Sequence, residues 1–309
     1  MSNETQQSAD RFRPRRSLHF VPAGQERMFN KALNLSADSL ILDLEDSVTP
    51  DNKVSARAAV CEWLQADFGR SERLVRINAQ DTPWGREDLE AVIAARPDGI
   101  VVPKATTRAG VDAIDQIVSS LETQHGLAQD GIELILIASE SPGAVFNMPQ
   151  MAQSDRVTAL SWGAEDLSTV LGARSTRDAD GQFLEVFAYV RSLCLLSASA
   201  ASIHPIDAVY ADFKNLDGLR KECSRAAEMG YRGKFSIHPD QIAILNECFT
   251  PESEAVANAR ALLEAFEESQ KQGRMAFVFD GRMVDAPHVK QAEQLLAFAD
   301  ALKAESASG

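Results

Sequence analysis

The stretch Ser39-Leu40-Ile41-Leu42-Asp43-Leu44-Glu45-Asp46-Ser47 begins as a buried strand should and ends with three carboxylates within four residues. Burying an unpaired carboxylate costs on the order of several kcal/mol, so such an ending persists only where something answers the charge. The same profile, apolar start and polar exit, returns along the chain in runs 17–22, 73–79, 99–105, 132–139, 157–166, 202–211 and 234–239. Counting 39–45, that makes eight strand candidates.

Between them lie amphipathic stretches such as QERMFNKALNL, NKVSARAAVCEWL and TRAGVDAIDQIVSSLE. Near-continuous apolar strands separated by helices imply a parallel sheet covered on both faces. Eight such units predict an α/β fold, a (β/α)8 TIM barrel, over an open doubly wound sheet. No GxGxxG follows the first strand, which further disfavours a dinucleotide fold. The expected organisation is a disordered arm over 1–14, the barrel over 15–249, a C-terminal helix-hairpin-helix lid or oligomerisation segment over 250–303, and a disordered tail over 304–309. Asp280-Gly281 marks the hairpin turn within 275–287.

The totals exclude several classes. A net charge of −14 over 309 residues argues against nucleic-acid binding. There is no apolar run long enough to cross a bilayer and no hydrophobic leader in MSNETQQSAD, so no membrane partner is expected and a cytoplasmic location is. Cys61, Cys194, Cys223 and Cys248 are widely spaced, as reduced thiols would be. RFRPRR places four arginines between Arg11 and Arg16, either a solvated arm or a patch for an anionic ligand.

In a barrel of this kind the active site lies at the C-terminal ends of the strands. The strand exits carry Asp43, Glu45 and Asp46, then Arg76 and Asn78, Lys104, Ser139-Glu140, Glu165-Asp166, and finally His204 and His238 in two identical SIHP tetrapeptides. Such repetition predicts a charged mouth facing a cation or basic ligand groups. Glu140 and Asp166 lie one βα unit apart and would suit Mg2+, which takes oxygen ligands and keeps several waters; Mn2+ is the alternative. Each carboxylate alone could equally be a helix cap. The five histidines are scattered, without zinc spacing.

The ordered set RRSLHFVPAGQERMFNKAL, ILDLEDSVTPDNKVSAR, LVRINAQDT, DGIVVPKA, WGAEDL, GKFSIHPDQIAILNECFTP and GRMVDAP resembles the citrate lyase β-subunit-like proteins. These include malyl-CoA and citramalyl-CoA lyases within the HpcH/HpaI aldolase superfamily, and the likeness spans about Arg15 to Ala299. It implies a Mg2+-dependent trimer or hexamer that makes or breaks the carbon–carbon bond of a β-hydroxyacyl-CoA, with acyl-CoA and a 2-oxo acid as small-molecule partners. By motif, Glu140 and Asp166 would ligate the metal, and Arg76 would bind the reacting oxygen. Asp43, Glu45 or Asp46 would hold metal-bound waters or Arg76, and Asp285 would be an acid/base delivered by the C-terminal segment to a neighbouring subunit. Arg15, Arg16 and Lys104 are the candidates for the CoA diphosphate. Two departures stand out. ASESPGAVF replaces a more usual IET-A-R-G, and His204 stands where relatives carry a small Gly-containing turn. A malyl-CoA thioesterase, a CoA-free 2-oxo acid aldolase and a subunit of a carrier-bound citrate lyase remain as alternative activities.

Overall fold

The computed structural model describes residues 13–273 and 276–308; the expected arm through residue 12, with Arg11, lies outside them. Eight strands, β1 (Ser17–Pro22), β2 (Ser39–Asp43), β3 (Glu72–Arg76), β4 (Gly99–Val102), β5 (Glu133–Ile137), β6 (Val157–Ser161), β7 (His204–Asp207) and β8 (Gly233–Ser236), close into a barrel in sequential order. Every neighbouring pair is parallel, including β8 with β1. The crossovers are α1 (Glu26–Ala32), α2 (Lys53–Trp63), α3 (Gly85–Ala94), α4 (Arg108–Gln124), α5 (Pro142–Met151), α6 (Ala164–Leu171), α7 (Glu185–Ala200) and α8 (Leu216–Met229), with α9 (Pro239–Cys248) after β8. The predicted (β/α)8 barrel is therefore the fold. None of the described helices is long and apolar enough to cross a membrane.

Two apolar clusters follow from the period-two alternation of strand side chains. Leu18, Ile41, Leu74, Val101, Ile135, Ile137, Ala159, Ile206 and Phe235 form the inner one, so each strand contributes to it. The larger cluster, with Leu40, Leu42, Val75, Ile100 and Leu136, lies between strands and helices. Because inner positions recur every second residue, the residues two before and two after each inner apolar side chain share its face. On β3 these are Glu72 and Arg76; on β2, Ser39 and Asp43.

The lower inner layer is ionic. Arg15, just before β1, donates to Glu72 through Nε (2.9 Å) and Nη2 (2.5 Å), and to Thr158 Oγ1 (3.3 Å) and Glu133. Ser39 Oγ donates to Glu72 as well (2.7 Å). Burial works against charge on Arg15, and the two carboxylates outweigh it. Arg16 forks onto Asp38 (2.7 and 2.8 Å), which Arg70 also binds (2.7 Å). Both arginines thus sit at the N-terminal ends of the strands and are consumed there. The expectation that they bind the CoA diphosphate is overturned, since a barrel length separates them from the strand exits. His204 is corrected likewise. It opens β7 rather than ending it, and burial, with Arg15 and Arg232 nearby, holds its pKa well below the ordinary value.

The chain divides by its internal contacts into Arg15–Phe249 and a second unit that includes everything from Thr250 onward. Within that unit α10 (Ser253–Lys271) and α11 (Ala286–Ser308) pack on one another, joined by an antiparallel hairpin of β9 (Phe277–Phe279) and β10 (Arg282–Val284). Asp280 and Gly281 both take positive φ, +48° and +72°, as a tight hairpin turn of the mirror-image type requires. Helix α11 runs through residues 304–308, where a disordered tail was expected.

Arg15→Ala should lower the unfolding free energy by about 3–5 kcal/mol, because Glu72 is left buried without its cation. Urea unfolding measures it, and a loss under about 1 kcal/mol would show that the lower ionic layer is not structural.

Candidate active site

The carboxylates that end β2 are answered by the strand exits beside them. Asp43 and Arg76 are register partners, and Arg76 forks onto Asp43 through Nε–Oδ1 (2.7 Å) and Nη2–Oδ2 (2.8 Å). Asp43 also accepts from the Glu45 amide (2.9 Å), so the loop folds back on the carboxylate. Burial alone would raise the Asp43 pKa; Arg76 outweighs it and holds it below the ordinary range. The guanidinium lies over the Phe20 ring, with Cζ 4.6 Å from the centroid. Two bonds and a stacked ring fix its plane, leaving Nη1 on the far side from Asp43.

Glu45 receives Lys104 Nζ through Oε1. Its Oε2 is 3.1 Å from Arg76 Nη1 but accepts no hydrogen bond among the described residues, and burial raises its pKa. Asp46 is exposed, 3.8 Å from Arg76 and 3.9 Å from Lys104. Below them, buried Lys53 Nζ donates to the Leu44 and Glu45 carbonyls and to Asn78 Oδ1 at 2.6–2.8 Å. Lys104, expected at the rim for a phosphate, is therefore engaged within the mouth.

Glu140 follows β5 and is buried, its Oε2 accepting the Lys104 backbone amide. Lys104 has φ +50°, a left-handed conformation uncommon for a residue with a side chain. One residue thus directs its amide to Glu140 and its ammonium to Glu45. Asp166 lies in the first turn of α6, which Gly163 precedes. A Cβ on Gly163 would approach Glu140 Cγ to 3.3 Å and Ile137 to 3.7 Å, so glycine keeps the space beside the carboxylate open. Ser139 Oγ accepts the Gly163 amide (2.8 Å) and ties the β5 exit to the β6 exit.

Burial raises the Glu140 pKa to about 8, with Glu45 and Asp166 adding to the effect. A bound cation would reverse that penalty. No group of three or more His, Cys, Asp or Glu side chains gathers at metal-binding geometry among the described residues. Two carboxylates with room beside them fit a hard cation whose other places go to water and ligand oxygens.

Asp43, Arg76, Glu140 and Asp166 line one cavity of about 640 Å³. It extends over β1 and β8 into an apolar groove whose walls include Met28, Ala32, Leu35, Val21, Ile237 and Pro239, with Lys31 on α1. Asp285 belongs to the second unit, where its carboxylate pairs with His288 Nδ1 at 2.7 Å.

Sequence reasoning did not find the support beneath this mouth. Trp162, which lines the cavity, donates Nε1–H to Asp207 Oδ1 (2.9 Å). Arg191 and Lys234 bind the same carboxylate (each 2.8 Å to Oδ2), and Lys234 also binds Glu222 (2.9 Å). Burial opposes charge on Asp207, yet Lys234 and Arg191 draw its pKa down to about 2. Lys234, in the run KFSIHP, was an available signal: a lysine inside an apolar strand needs a carboxylate.

The model of the HpcH/HpaI aldolase/citrate lyase family matches residues 16–239. The chain is 37% identical to a (3S)-malyl-CoA thioesterase of Cereibacter sphaeroides and 34% identical to an L-malyl-CoA/beta-methylmalyl-CoA lyase of the same species. In each case 96% of this chain and 98% of the relative are covered. Among solved structures it is similar to CitE of Mycobacterium tuberculosis in complex with magnesium, acetoacetate and coenzyme A, at TM-score 0.75 and 34% identity, covering 93% of this chain and 98% of that one. With a matching model over most of its barrel and relatives matched nearly end to end, this chain belongs to the HpcH/HpaI aldolase/citrate lyase family.

Proposed function

We propose that this protein is a Mg2+-dependent carbon–carbon lyase that cleaves, or in reverse forms, a β-hydroxyacyl-CoA, with an acyl-CoA and a 2-oxo acid as the other side of the reaction. The observation that carries the reading is a single cavity. It joins the Glu140–Asp166 oxygen pair and Arg76 to a long apolar groove. The magnesium, oxo acid and coenzyme A held together by the CitE structure support the same combination of ligands.

Glu140 and Asp166 would hold the cation, which when bound polarises the ligand's oxygens and neutralises its carboxylate. Arg76 stabilises the oxyanion that develops as the carbon–carbon bond breaks. Its charge cannot be lost to the ligand, and Asp43 fixes its plane before the ligand arrives. Asp43 is thus a positioning residue, and Lys104 positions Glu140 and Glu45. Asp285, carried by the C-terminal unit of a neighbouring subunit in a trimer or hexamer, would return a proton to the enolate carbon of the acyl fragment. The groove would take the pantetheine arm, and Lys31 the diphosphate in place of Arg15 and Arg16.

The thioesterase relatives favour a second reading, in which water cleaves the thioester in the same cavity. Mass spectrometry of products from malyl-, β-methylmalyl- and both citramalyl-CoA stereoisomers with Mg2+ distinguishes the two. Acetyl- or propionyl-CoA with glyoxylate or pyruvate is expected. Free CoA with a hydroxy diacid would establish the thioesterase, and no turnover would leave the CoA-free aldolase or the carrier-bound subunit.

Glu140 carries a folded-state pKa above its unfolded value, so metal-free stability declines as pH rises from about 4.5 toward 8. Metal-free Glu140→Gln should therefore be more stable than metal-free wild type by a few kcal/mol at pH 7–8, as about 1.4 kcal/mol per pH unit implies. The two should converge near pH 4. Mg2+ should raise the melting temperature of wild type but not of the variant, and an equal rise in both would move the metal elsewhere.

Arg76→Lys should lose at least tenfold in kcat, because an ammonium cannot keep both bonds to Asp43. Mixed oligomers of Arg76→Ala and Asp285→Ala chains should regain part of the activity that each lacks alone. Confirmed mixing without recovery would remove Asp285 from a neighbour's site.

A further inference from the structure

The apolar limb of the cavity is walled in part by a buried histidine that the mouth does not use. His19 is the third residue of β1. Leu18 and Phe20 on either side of it pack into the inner cluster, so the imidazole points the other way, toward the helices. It is 5% exposed and lines the cavity. Nδ1 lies 3.1 Å from Ser236 Oγ, on the register partner of His19 in β8, and Ser236 Oγ donates in turn to the His238 carbonyl (3.1 Å).

This chain settles the tautomer. With its own proton given to a carbonyl, the Ser236 hydroxyl accepts from Nδ1–H, which leaves the lone pair on Nε2. Burial, with His238 nearby, lowers the His19 pKa to about 4, so the ring is neutral at physiological pH. Nε2 takes no hydrogen bond among the described residues. It is a fixed acceptor in a limb whose other walls are largely apolar, including Val21, Ile237 and Pro239.

We infer that His19 is a ligand-binding residue whose Nε2 accepts an amide N–H from the pantetheine arm of the acyl-CoA. The assignment rests on the acyl-CoA reading above. A pantetheine arm is an apolar chain interrupted by two amides. Burying an amide N–H without an acceptor costs on the order of 1–3 kcal/mol, so an apolar groove that takes such an arm needs a placed acceptor. The relay through Ser236 fixes the tautomer and His19 lines the cavity, so the unprotonated Nε2 is the ring atom left to meet a ligand. The thioester-free nucleotide end, 3′,5′-ADP, has no such arm and should be indifferent to His19.

Calorimetric titration of wild type, His19→Asn and His19→Gln with desulfo-coenzyme A and with 3′,5′-ADP tests this. Asparagine keeps the bond to Ser236 and loses the cavity acceptor; glutamine places a carbonyl near the Nε2 position. Desulfo-coenzyme A should bind His19→Asn about five- to tenfold more weakly, as loss of one hydrogen bond implies, with glutamine recovering most of the loss and 3′,5′-ADP unchanged in all three. On wild-type protein, desulfo-coenzyme A should shift the His19 Nε2 resonance in long-range 15N spectra in the direction of an accepted hydrogen bond. Equal binding by His19→Asn, or an unmoved Nε2 resonance on saturation, overturns the assignment and leaves the acyl-CoA reading intact. A wild type that binds neither compound overturns both.

Discussion

The register of β2 against β3 is the constraint on which the rest of this site depends. It sets Ser39 beside Glu72, Ile41 beside Leu74 and Asp43 beside Arg76. Ionic layers at both ends of the barrel are thereby separated by one apolar layer on the same face. A slip of β2 by one residue would turn Asp43 into the apolar layer under the helices, bring Leu42 inward and part Asp43 from Arg76. The lower layer holds one cation, Arg15, between Glu72 and the partly exposed Glu133. In the upper layer Arg76 is bonded to Asp43 and Lys104 Nζ to Glu45, while among the described residues Glu140 takes the Lys104 backbone amide and no cationic side chain, which leaves it open to a cation.

Much of the mouth's precision comes from the backbone. Lys104 in a left-handed conformation serves two carboxylates at once, and Gly163 leaves beside Glu140 the room that any Cβ would fill. Ser139 fastens the exits of β5 and β6 through the Gly163 amide, so Glu140 and Asp166 hold their separation through a bond between loops. Behind this, Asp207 receives Trp162, Arg191 and Lys234 between the strands and the helices. The residue before Gly163 is thus fixed from outside the barrel as well. The cation site proposed for these two carboxylates would demand such rigidity, since water and ligand would supply the remaining oxygens and would not correct a misplaced ligand.

The two SIHP tetrapeptides show where local sequence stops being informative. In the first, Ser202 ends a helix in a left-handed turn and His204 begins β7 at the lower end of the barrel. In the second, Ser236 ends β8, and His238 caps α9 by accepting the Asp240 amide, with Pro239 at the first helical position. Identical residues thus occupy opposite ends of adjacent strands. What differs is where each helix before the strand terminates, which four residues do not encode. The same ambiguity misplaced Arg15 and Arg16. Arginines just ahead of a strand look like a rim, but a strand's first residues lie at the bottom of a barrel whose ligands enter at the top.

The sequence by itself determined the barrel, because eight apolar runs spaced by amphipathic helices have few other ways to bury themselves. It also determined that the charges gather at the strand exits, and its ordered motifs pointed to the family. Only the tertiary structure decided which charge meets which: that Asp43 is spent on Arg76, that Lys104 serves Glu45 and Glu140, and that Lys234 is balanced by Asp207 and Glu222. Only it revealed the groove over β1 and β8 with His19 in its wall. Burial and alternation act over a few residues and are written locally. Pairing across a closed barrel joins residues tens to hundreds of positions apart, and it exists only once the register has closed.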